Sequence, residues 1–143
     1  MVVTRVEALI NKPLELVFGY VSNFENMPDY NSSVLFAHWK DSQKKICKVK
    51  IGLSILNFES NYEILEYKDG ELIRAVCNTS QLEFEDKYEF ITESKQQTKL
   101  IITDSMKLKG ILALSEGILK INMKREMEHN MRKLQNILES IVE

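Results

Sequence analysis

The carboxy-terminal segment, residues 110–143, constrains the fold most, because most of its apolar residues recur every three or four positions. These residues are Leu114, Ile118, Ile121, Met127, Met131, Leu134, Leu138 and Ile141. The spacing predicts one long amphipathic helix, which at about 30 residues would measure about 45 Å. In a chain of 143 residues, only the concave face of a strongly bent sheet offers a partner surface of that length.

The chain before this helix is dominated by strand patterns. Val2–Ile10 alternates apolar and polar residues, and Pro13 then fits the first turn of a short helix. Later strands are predicted at Val34–Lys40, Lys45–Ile55, the segment from Phe58 to Ile64, Leu72–Thr79, Leu82–Thr92 and Lys99–Lys109. The Asp69-Gly70 pair predicts a hairpin turn, and Gly52 predicts a bulge or a sharp bend.

Composition and charge limit the class of protein. The length suits one domain over residues 1–143, and the net charge of −2 gives no sequence-wide attraction to nucleic acid or to an anionic membrane. No apolar run approaches the roughly 20 residues that span a bilayer, and no signal-peptide pattern opens the chain. We therefore expect a cytoplasmic protein whose two cysteines, Cys47 and Cys77, are reduced and buried.

Three segments carry a resemblance to a known family. Asn11–Phe18 contains a proline and an acidic residue before a Val-Phe pair, Asn23–Tyr30 combines asparagine, proline and aromatic residues, and Met131–Glu139 is similar to a recurring helix end. Together they resemble the START-like superfamily, also called the helix-grip or Bet v 1-like fold, and within it the polyketide cyclase/dehydrase and lipid-transport proteins. The resemblance implies a single α+β domain in which a strongly curved antiparallel sheet of about six or seven strands wraps around the long carboxy-terminal helix, with two short helices after the first strand.

The resemblance also implies a ligand cavity between the sheet and the long helix. The residues that would line it lie on the inward faces of the strands and on the inner side of the helix: Phe58, Tyr62, Phe84, Tyr88, Phe90, Met106, Leu114, Ile118 and Ile121. Apolar walls with a few polar groups are typical of small-molecule sites. The alternative is that these side chains simply fill the core.

Two carboxylates interrupt the predicted inward faces. Asp86 is in phase with Phe84 and Tyr88, and Asp104 is in phase with Met106. A carboxylate on an apolar face is costly unless it is paired, hydrogen-bonded, hydrated or protonated. Asp86, Asp104 and Tyr88 are therefore the candidate catalytic residues, either as anchors for a ligand hydroxyl or as proton-transfer groups. The alternatives are a bulge that turns these side chains outward, or a structural partner such as Arg74 or a tyrosine hydroxyl.

No sequence pattern indicates a metal or an organic cofactor. His38 and His129 have no Cys, Asp or Glu at metal-ligand spacing, and neither a Gly-x-Ser-x-Gly motif nor a glycine-rich phosphate loop occurs. We expect no metal, no cofactor, no nucleic-acid partner and no stable membrane insertion.

Three functions stay open: binding or transport of a hydrophobic lipid or polyketide-like molecule, a metal-free cyclase, dehydratase or lyase, and an accessory module that docks a partner protein.

Overall fold

Seven strands form one antiparallel sheet in the order β1-β7-β6-β5-β4-β3-β2. The structure, a computed structural model, describes residues 1–53 and 56–143. The strands are β1 (Val2–Ile10), β2 (Val34–Trp39), β3 (Ile46–Leu53), β4 (Leu56–Lys68), β5 (Leu72–Asn78), β6 (Leu82–Ser94) and β7 (Gln97–Leu108). The predicted strands match these closely, except that the last two residues of the predicted Lys45–Ile55 strand lie outside the described residues.

Three helices complete the fold. α1 (Leu14–Ser22) follows β1, and a short 3-10 turn leads into α2 (Met27–Tyr30). A second 3-10 turn, Gly110–Ser115, precedes the long helix α3 (Glu116–Ser140). The predicted helix-grip architecture is confirmed, with the correction that the long helix begins in 3-10 geometry and ends before the last three residues.

The long helix protects one edge of the sheet. β1 is an edge strand, and α3 runs beside it in the same direction. Lys124 donates a hydrogen bond to the Arg5 carbonyl at 2.7 Å, and Gln135 donates to the Leu9 carbonyl at 2.8 Å. Side chains of the helix therefore occupy carbonyl groups that would otherwise offer a pairing edge to another chain.

The turns follow the local sequence with one exception. Gly70 has a φ of +73° in the β4–β5 hairpin, a conformation that glycine adopts without steric cost. Gly52, by contrast, pairs regularly with Asn57, and the irregularity lies on the neighbouring strand, between Val34 and Phe36. The bulge predicted at Gly52 is therefore in β2.

Aromatic and aliphatic side chains fill one end of the space enclosed by the sheet. α1 buries Val17, Phe18 and Val21 against it, and the Phe18 ring meets the Phe90 ring edge to face at 4.8 Å between centroids. These side chains pack the α1 end of the enclosed space, and the cavity described below lies where α2 and α3 face the sheet. No helix in the described ranges 1–53 and 56–143 is long and apolar enough to cross a bilayer.

Candidate functional site

A cavity lies between the concave face of the sheet and α3. Its volume is about 110 Å³. An engineered protein cavity of about 150 Å³ holds benzene. This space is smaller, so a short chain or one small ring is the most that it can take, and a ring requires the walls to give way slightly. A larger molecule would have to widen the opening.

The cavity walls are mainly apolar and come from both layers. The sheet contributes Val6, Val34, Val49, Ile51, Tyr62, Phe84, Tyr88, Ile102 and Met106. The helices contribute Met27, Tyr30, Met123, Met127, Met131 and Leu134. Methionine is flexible and polarisable, so a wall rich in methionine can adapt to ligands of different shapes.

Two carboxyl groups face each other on the sheet side of this cavity. Asp86 of β6 is directly opposite Asp104 of β7, and both line the cavity. Asp104 is 7% exposed, and its Oδ1 has no hydrogen-bond partner among the described residues. Thr4 of β1, opposite Asp104, also has a buried hydroxyl without a partner there. These unpaired oxygens make this part of the wall a polar spot inside an apolar cavity.

A chain of hydroxyl groups extends from Asp86. Tyr62 donates to Asp86 Oδ2 at 2.6 Å, and the hydroxyl groups of Tyr62 and Tyr88 are 2.8 Å apart. Tyr62 lies on β4 and Asp86 on β6, with β5 between them. The β5 residue paired with Asp86 is Ala75, whose small side chain leaves room for this contact.

The surroundings of the two aspartates favour their protonated forms. Burial raises the pKa of both carboxyl groups, and the neighbouring charge of Asp86 raises the pKa of Asp104 further. The hydrogen bond between the carboxyl groups and the Tyr62 hydroxyl oppose the rise in the pKa of Asp86. The rise in pKa is therefore larger at Asp104, which favours the protonated form of Asp104 over that of Asp86. The surface that Asp86 retains faces the cavity, so its partial exposure does not place it at the protein surface.

Besides burial, the Asp86 carboxylate raises the pKa of Tyr62 and Tyr88. Burial, followed by the nearby Asp86 carboxylate, raises the pKa of Tyr62 and Tyr88 well above the ordinary tyrosine value. Both phenols therefore stay protonated over the physiological range and act as hydrogen-bond donors.

A second polar group joins α3 to the loop between α2 and β2. Glu126 accepts hydrogen bonds from the hydroxyl groups of Ser32, at 2.7 Å, and Ser33. Asn130 accepts from the Ser32 backbone N–H at 3.3 Å and donates to Asn31 Oδ1 at 3.3 Å. All but Ser32 line the cavity, so these contacts hold one side of it closed.

The predicted site residues divide into two groups. Tyr62, Phe84, Tyr88 and Met106 line the cavity, together with both predicted carboxylates. Phe90 belongs to the filled end of the core, and Phe58 is half-buried against the core without lining the cavity.

The helix residues among the predicted lining require a correction. Leu114, Ile118 and Ile121 are 89%, 71% and 64% exposed and are not part of the cavity wall. The physical reason is helix rotation, since residues advance by about 100° each. Ile121 therefore points about 120° away from Met127, and Ile118 points to the opposite side. The inner face is continued instead by Met123, Leu119 and Leu112.

Sequence reasoning missed several residues of the site. Asn130 and Glu126 were overlooked, although Asn130 is in phase with Met123, Met127 and Leu134 on the inner face of α3. A polar residue on that face was the available signal. The sequence around Ser33 contains no such signal, because the role of Ser33 depends on its tertiary contact with Glu126.

Arg74 is not the partner of either aspartate. It lies outside the cavity and pairs with Glu85 at 2.6 Å and Glu66 at 3.4 Å. The partner of Asp86 is a tyrosine hydroxyl, and regular pairing of β6 with β7 on both sides of Asp86 keeps its side chain inward. No group of three His, Cys, Asp or Glu side chains suited to a metal occurs in the part of the chain that the structure describes.

Comparison with known proteins agrees with this geometry. A model of the family described as polyketide cyclase/dehydrase and lipid transport matches residues 1–139. A START superfamily protein from Mycobacterium smegmatis has a TM-score of 0.81 at 12% identity, with 98% of this chain and 99% of that chain covered. The Zhui aromatase/cyclase from Streptomyces sp. R1128 has a TM-score of 0.80 at 8% identity, with 96% and 93% covered.

A protein from Thermus thermophilus is similar to the same degree, with a TM-score of 0.80, 16% identity, and 95% of this chain and 96% of that chain covered. At these identities the likeness establishes the fold alone, which confirms the predicted START-like architecture. A search of curated proteins found no match.

Proposed function

Because the chain belongs to the polyketide cyclase/dehydrase and lipid transport family, we propose that it binds, or transports, a small hydrophobic molecule in the cavity between the sheet and α3. The observation that carries the proposal is the composition of the cavity wall. Apolar side chains from both layers surround the space, and the polar groups fall into two clusters, one on the sheet and one where α3 meets the Asn31–Ser33 loop. Such a wall is typical of a small-molecule site.

The polar spot on the sheet defines the chemistry of the ligand. Asp104 Oδ1 can accept a hydrogen bond from a ligand hydroxyl, which would satisfy a buried atom that has no partner among the described residues. The apolar walls then enclose a ring or a short chain. A lipid or polyketide-like compound that carries a hydroxyl group near one end fits both requirements, and a long chain would extend through the opening.

Calorimetric titration with 4-methylphenol and with toluene tests this proposal. We expect both to bind, with 4-methylphenol the tighter ligand, because only the phenol can donate to Asp104. The variant Met127→Trp places a large ring in the cavity wall and should abolish binding of both compounds. Leu65→Trp, at an exposed strand position, is the matched control and should bind like the unmodified protein. Absence of binding to the unmodified protein, or equal binding by both variants, would refute the proposal.

The carboxyl pair supports a second candidate function, proton transfer on a bound carbonyl compound. The Asp86 carboxylate would remove a proton from the carbon beside the carbonyl group, while Asp104 would deliver its proton to the carbonyl oxygen. The product is the enol, and the pair ends with the proton on Asp86 and the charge on Asp104. Tyr88, through Tyr62, would hold Asp86 in position. This is the chemistry on which a cyclase or dehydratase depends.

Exchange of the α-protons of cyclohexanone in deuterium oxide, followed by NMR, tests this second function. The unmodified protein should accelerate exchange, and both Asp86→Asn and Asp104→Asn should return the rate to that of buffer. Glu93→Gln, which alters an exposed carboxylate on β6, should leave the acceleration unchanged. If the unmodified protein gives only the buffer rate, proton transfer is excluded for this class of carbonyl compound, and ligand binding remains as the function.

A further inference from the structure

The outer face of the long helix changes character along its length. Its first part, together with the preceding 3-10 turn, exposes four large apolar side chains, which we call the apolar stripe: Ile111, Leu114, Ile118 and Ile121. Further along the same face the exposed residues are polar or charged: Arg125, Glu128, His129, Arg132 and Asn136. Polar side chains in the second part are readily hydrated. The apolar stripe, by contrast, is a contiguous hydrophobic surface of the kind that marks an interaction site.

The segment that carries the apolar stripe is attached to the body of the protein. Leu112 and Leu119 pack against the core on the opposite side, and Met123 is buried. Glu116 accepts a hydrogen bond from the Leu108 backbone N–H at 3.2 Å and pairs with the amino terminus at 2.9 Å. With its inner side occupied, the segment presents the apolar stripe outward while it remains folded.

Most charges beside the apolar stripe are positive. Residues 107–125 contain five basic side chains, Lys107, Lys109, Lys120, Lys124 and Arg125, and one acidic side chain, Glu116. Two of the five have protein partners: Lys124 binds the Arg5 carbonyl and pairs with Glu128 at 3.8 Å, and Lys109 donates to Asn78 and Thr79. The ammonium of the chain terminus already neutralises Glu116. This local excess of positive charge occurs in a chain whose net charge is −2.

From this combination we propose that the apolar stripe docks the protein onto the surface of an anionic lipid bilayer. The 3-10 turn and the first part of α3 lie parallel to the membrane, with the four apolar side chains among the acyl chains near the headgroups and Lys120 and Arg125 against the lipid phosphates. An amphipathic helix with an apolar face and flanking lysines binds membranes in this way. The binding is peripheral: the helix lies on the bilayer and does not cross it.

Electrostatics favour a bilayer over a second copy of the chain. A two-fold interface places the same patch against itself, so a dimer through the apolar stripe would bring one set of basic side chains close to the other. Like charges at a close interface repel, whereas lipid phosphates attract them. The proposal does not depend on the cavity binding a ligand.

Co-sedimentation of the full chain with vesicles tests the proposal. We expect binding to vesicles of phosphatidylcholine mixed with phosphatidylglycerol, weaker binding at high salt, and little binding to phosphatidylcholine alone. The double variant Leu114→Ser with Ile118→Ser should weaken binding to the anionic vesicles by about tenfold or more. Leu65→Ser with Val142→Ser, which removes two exposed apolar side chains elsewhere, should bind normally.

Charge-reversal variants and a measurement of the protein's oligomeric mass complete the test. Lys120→Glu with Arg125→Glu should abolish binding to the anionic vesicles, and Lys95→Glu with Lys133→Glu should leave it nearly unchanged. The proposal is overturned if the unmodified protein does not bind anionic vesicles, or if the Lys120→Glu, Arg125→Glu variant and the Lys95→Glu, Lys133→Glu variant bind them equally. It is also overturned if light scattering shows a dimer that the Leu114→Ser, Ile118→Ser variant dissociates, since the apolar stripe is then an interface between copies. Circular dichroism establishes that each variant is folded.

Discussion

At the scale of single residues, the Asp86–Asp104 pair is the feature that separates this cavity from an ordinary core. Their inward positions could be predicted, because both are in phase with the apolar residues of their strands. A tyrosine hydroxyl was among the expected partners, but its identity as Tyr62 could not be predicted, because Tyr62 lies two strands away from Asp86 and reaches it across the small side chain of Ala75. Periodicity specifies the face of a strand, whereas the contact depends on register and curvature of the whole sheet.

The raised pKa of Asp104 predicts a dependence of stability on pH. A carboxyl group whose pKa is higher in the folded protein binds its proton more tightly there than in the unfolded chain. Its contribution to stability is largest at low pH and declines as the pH rises from about 3.9, the ordinary aspartate value, through the raised value of the folded state. Asp104→Asn keeps a donor toward Asp86 without a titrating proton, so we expect it to reduce the loss of stability between about pH 4 and about pH 8.

Thermal unfolding at a series of pH values measures this effect. At about pH 8, each ~1 kcal/mol by which Asp104→Asn increases the free energy of unfolding should raise the melting temperature by about 3 °C in a domain of this size. Glu93→Gln, at an exposed position, should follow the unmodified protein at every pH. Parallel curves for Asp104→Asn and the unmodified protein would show that Asp104 titrates normally.

The Tyr62 hydroxyl predicts a second effect at this scale. Tyr62→Phe removes hydrogen bonds to Asp86 and to Tyr88 at once, and it leaves both groups buried with one partner fewer. We expect it to lower the free energy of unfolding by about 1–3 kcal/mol. Urea unfolding at neutral pH provides the measurement, and Tyr67→Phe, at a half-exposed ring, is the control. A Tyr62→Phe protein as stable as that control would contradict the described network.

At the scale of elements, the strands and the existence of the long helix were predictable, and the orientation of its first part was not. Alternation determines strand bounds directly, which is why Val2–Ile10 is predicted and observed without change. In α3 and the 3-10 turn before it, the apolar residues form two stripes on different sides, one inward from Leu112 through Leu138 and one outward from Ile111 to Ile121. A sequence pattern does not distinguish a buried apolar face from an exposed one, since both consist of the same residue types.

The contact between α3 and the Asn31–Ser33 loop predicts the effect of a helix substitution. Asn130→Ala removes the side chain that accepts from Ser32 and donates to Asn31, and it leaves their polar groups without that partner. We expect a loss of about 1–3 kcal/mol in unfolding free energy. The matched control is Asn136→Ala, the same change at an exposed position of the same helix, which should be neutral or slightly stabilising because alanine favours helix. Equal stability of the two variants would show that the loop contact does not hold the helix.

At the scale of the whole molecule, the seven-stranded sheet and α3 together enclose space that neither could enclose alone. The filled end, built on α1, gives the domain its core, and the other end keeps a cavity of about 110 Å³. We expect a ligand bulkier than a small ring to move the Asn31–Ser33 loop away from α3, which would break the contacts of Glu126 and Asn130. Ligand size should therefore be coupled to the position of this loop.

The methionines offer the most direct measurement of the central claim, that the cavity receives a small hydrophobic ligand. Of the six in the chain, Met27, Met106, Met123, Met127 and Met131 line the cavity, and Met1 is 75% exposed. NMR spectra of protein labelled with ¹³C at the methionine methyl groups should be recorded during titration with 4-methylphenol. The account predicts saturable shifts of the five cavity methyl signals with a single dissociation constant and an unchanged Met1 signal. Five cavity signals that stay fixed, or that move no more than the Met1 signal, would contradict it.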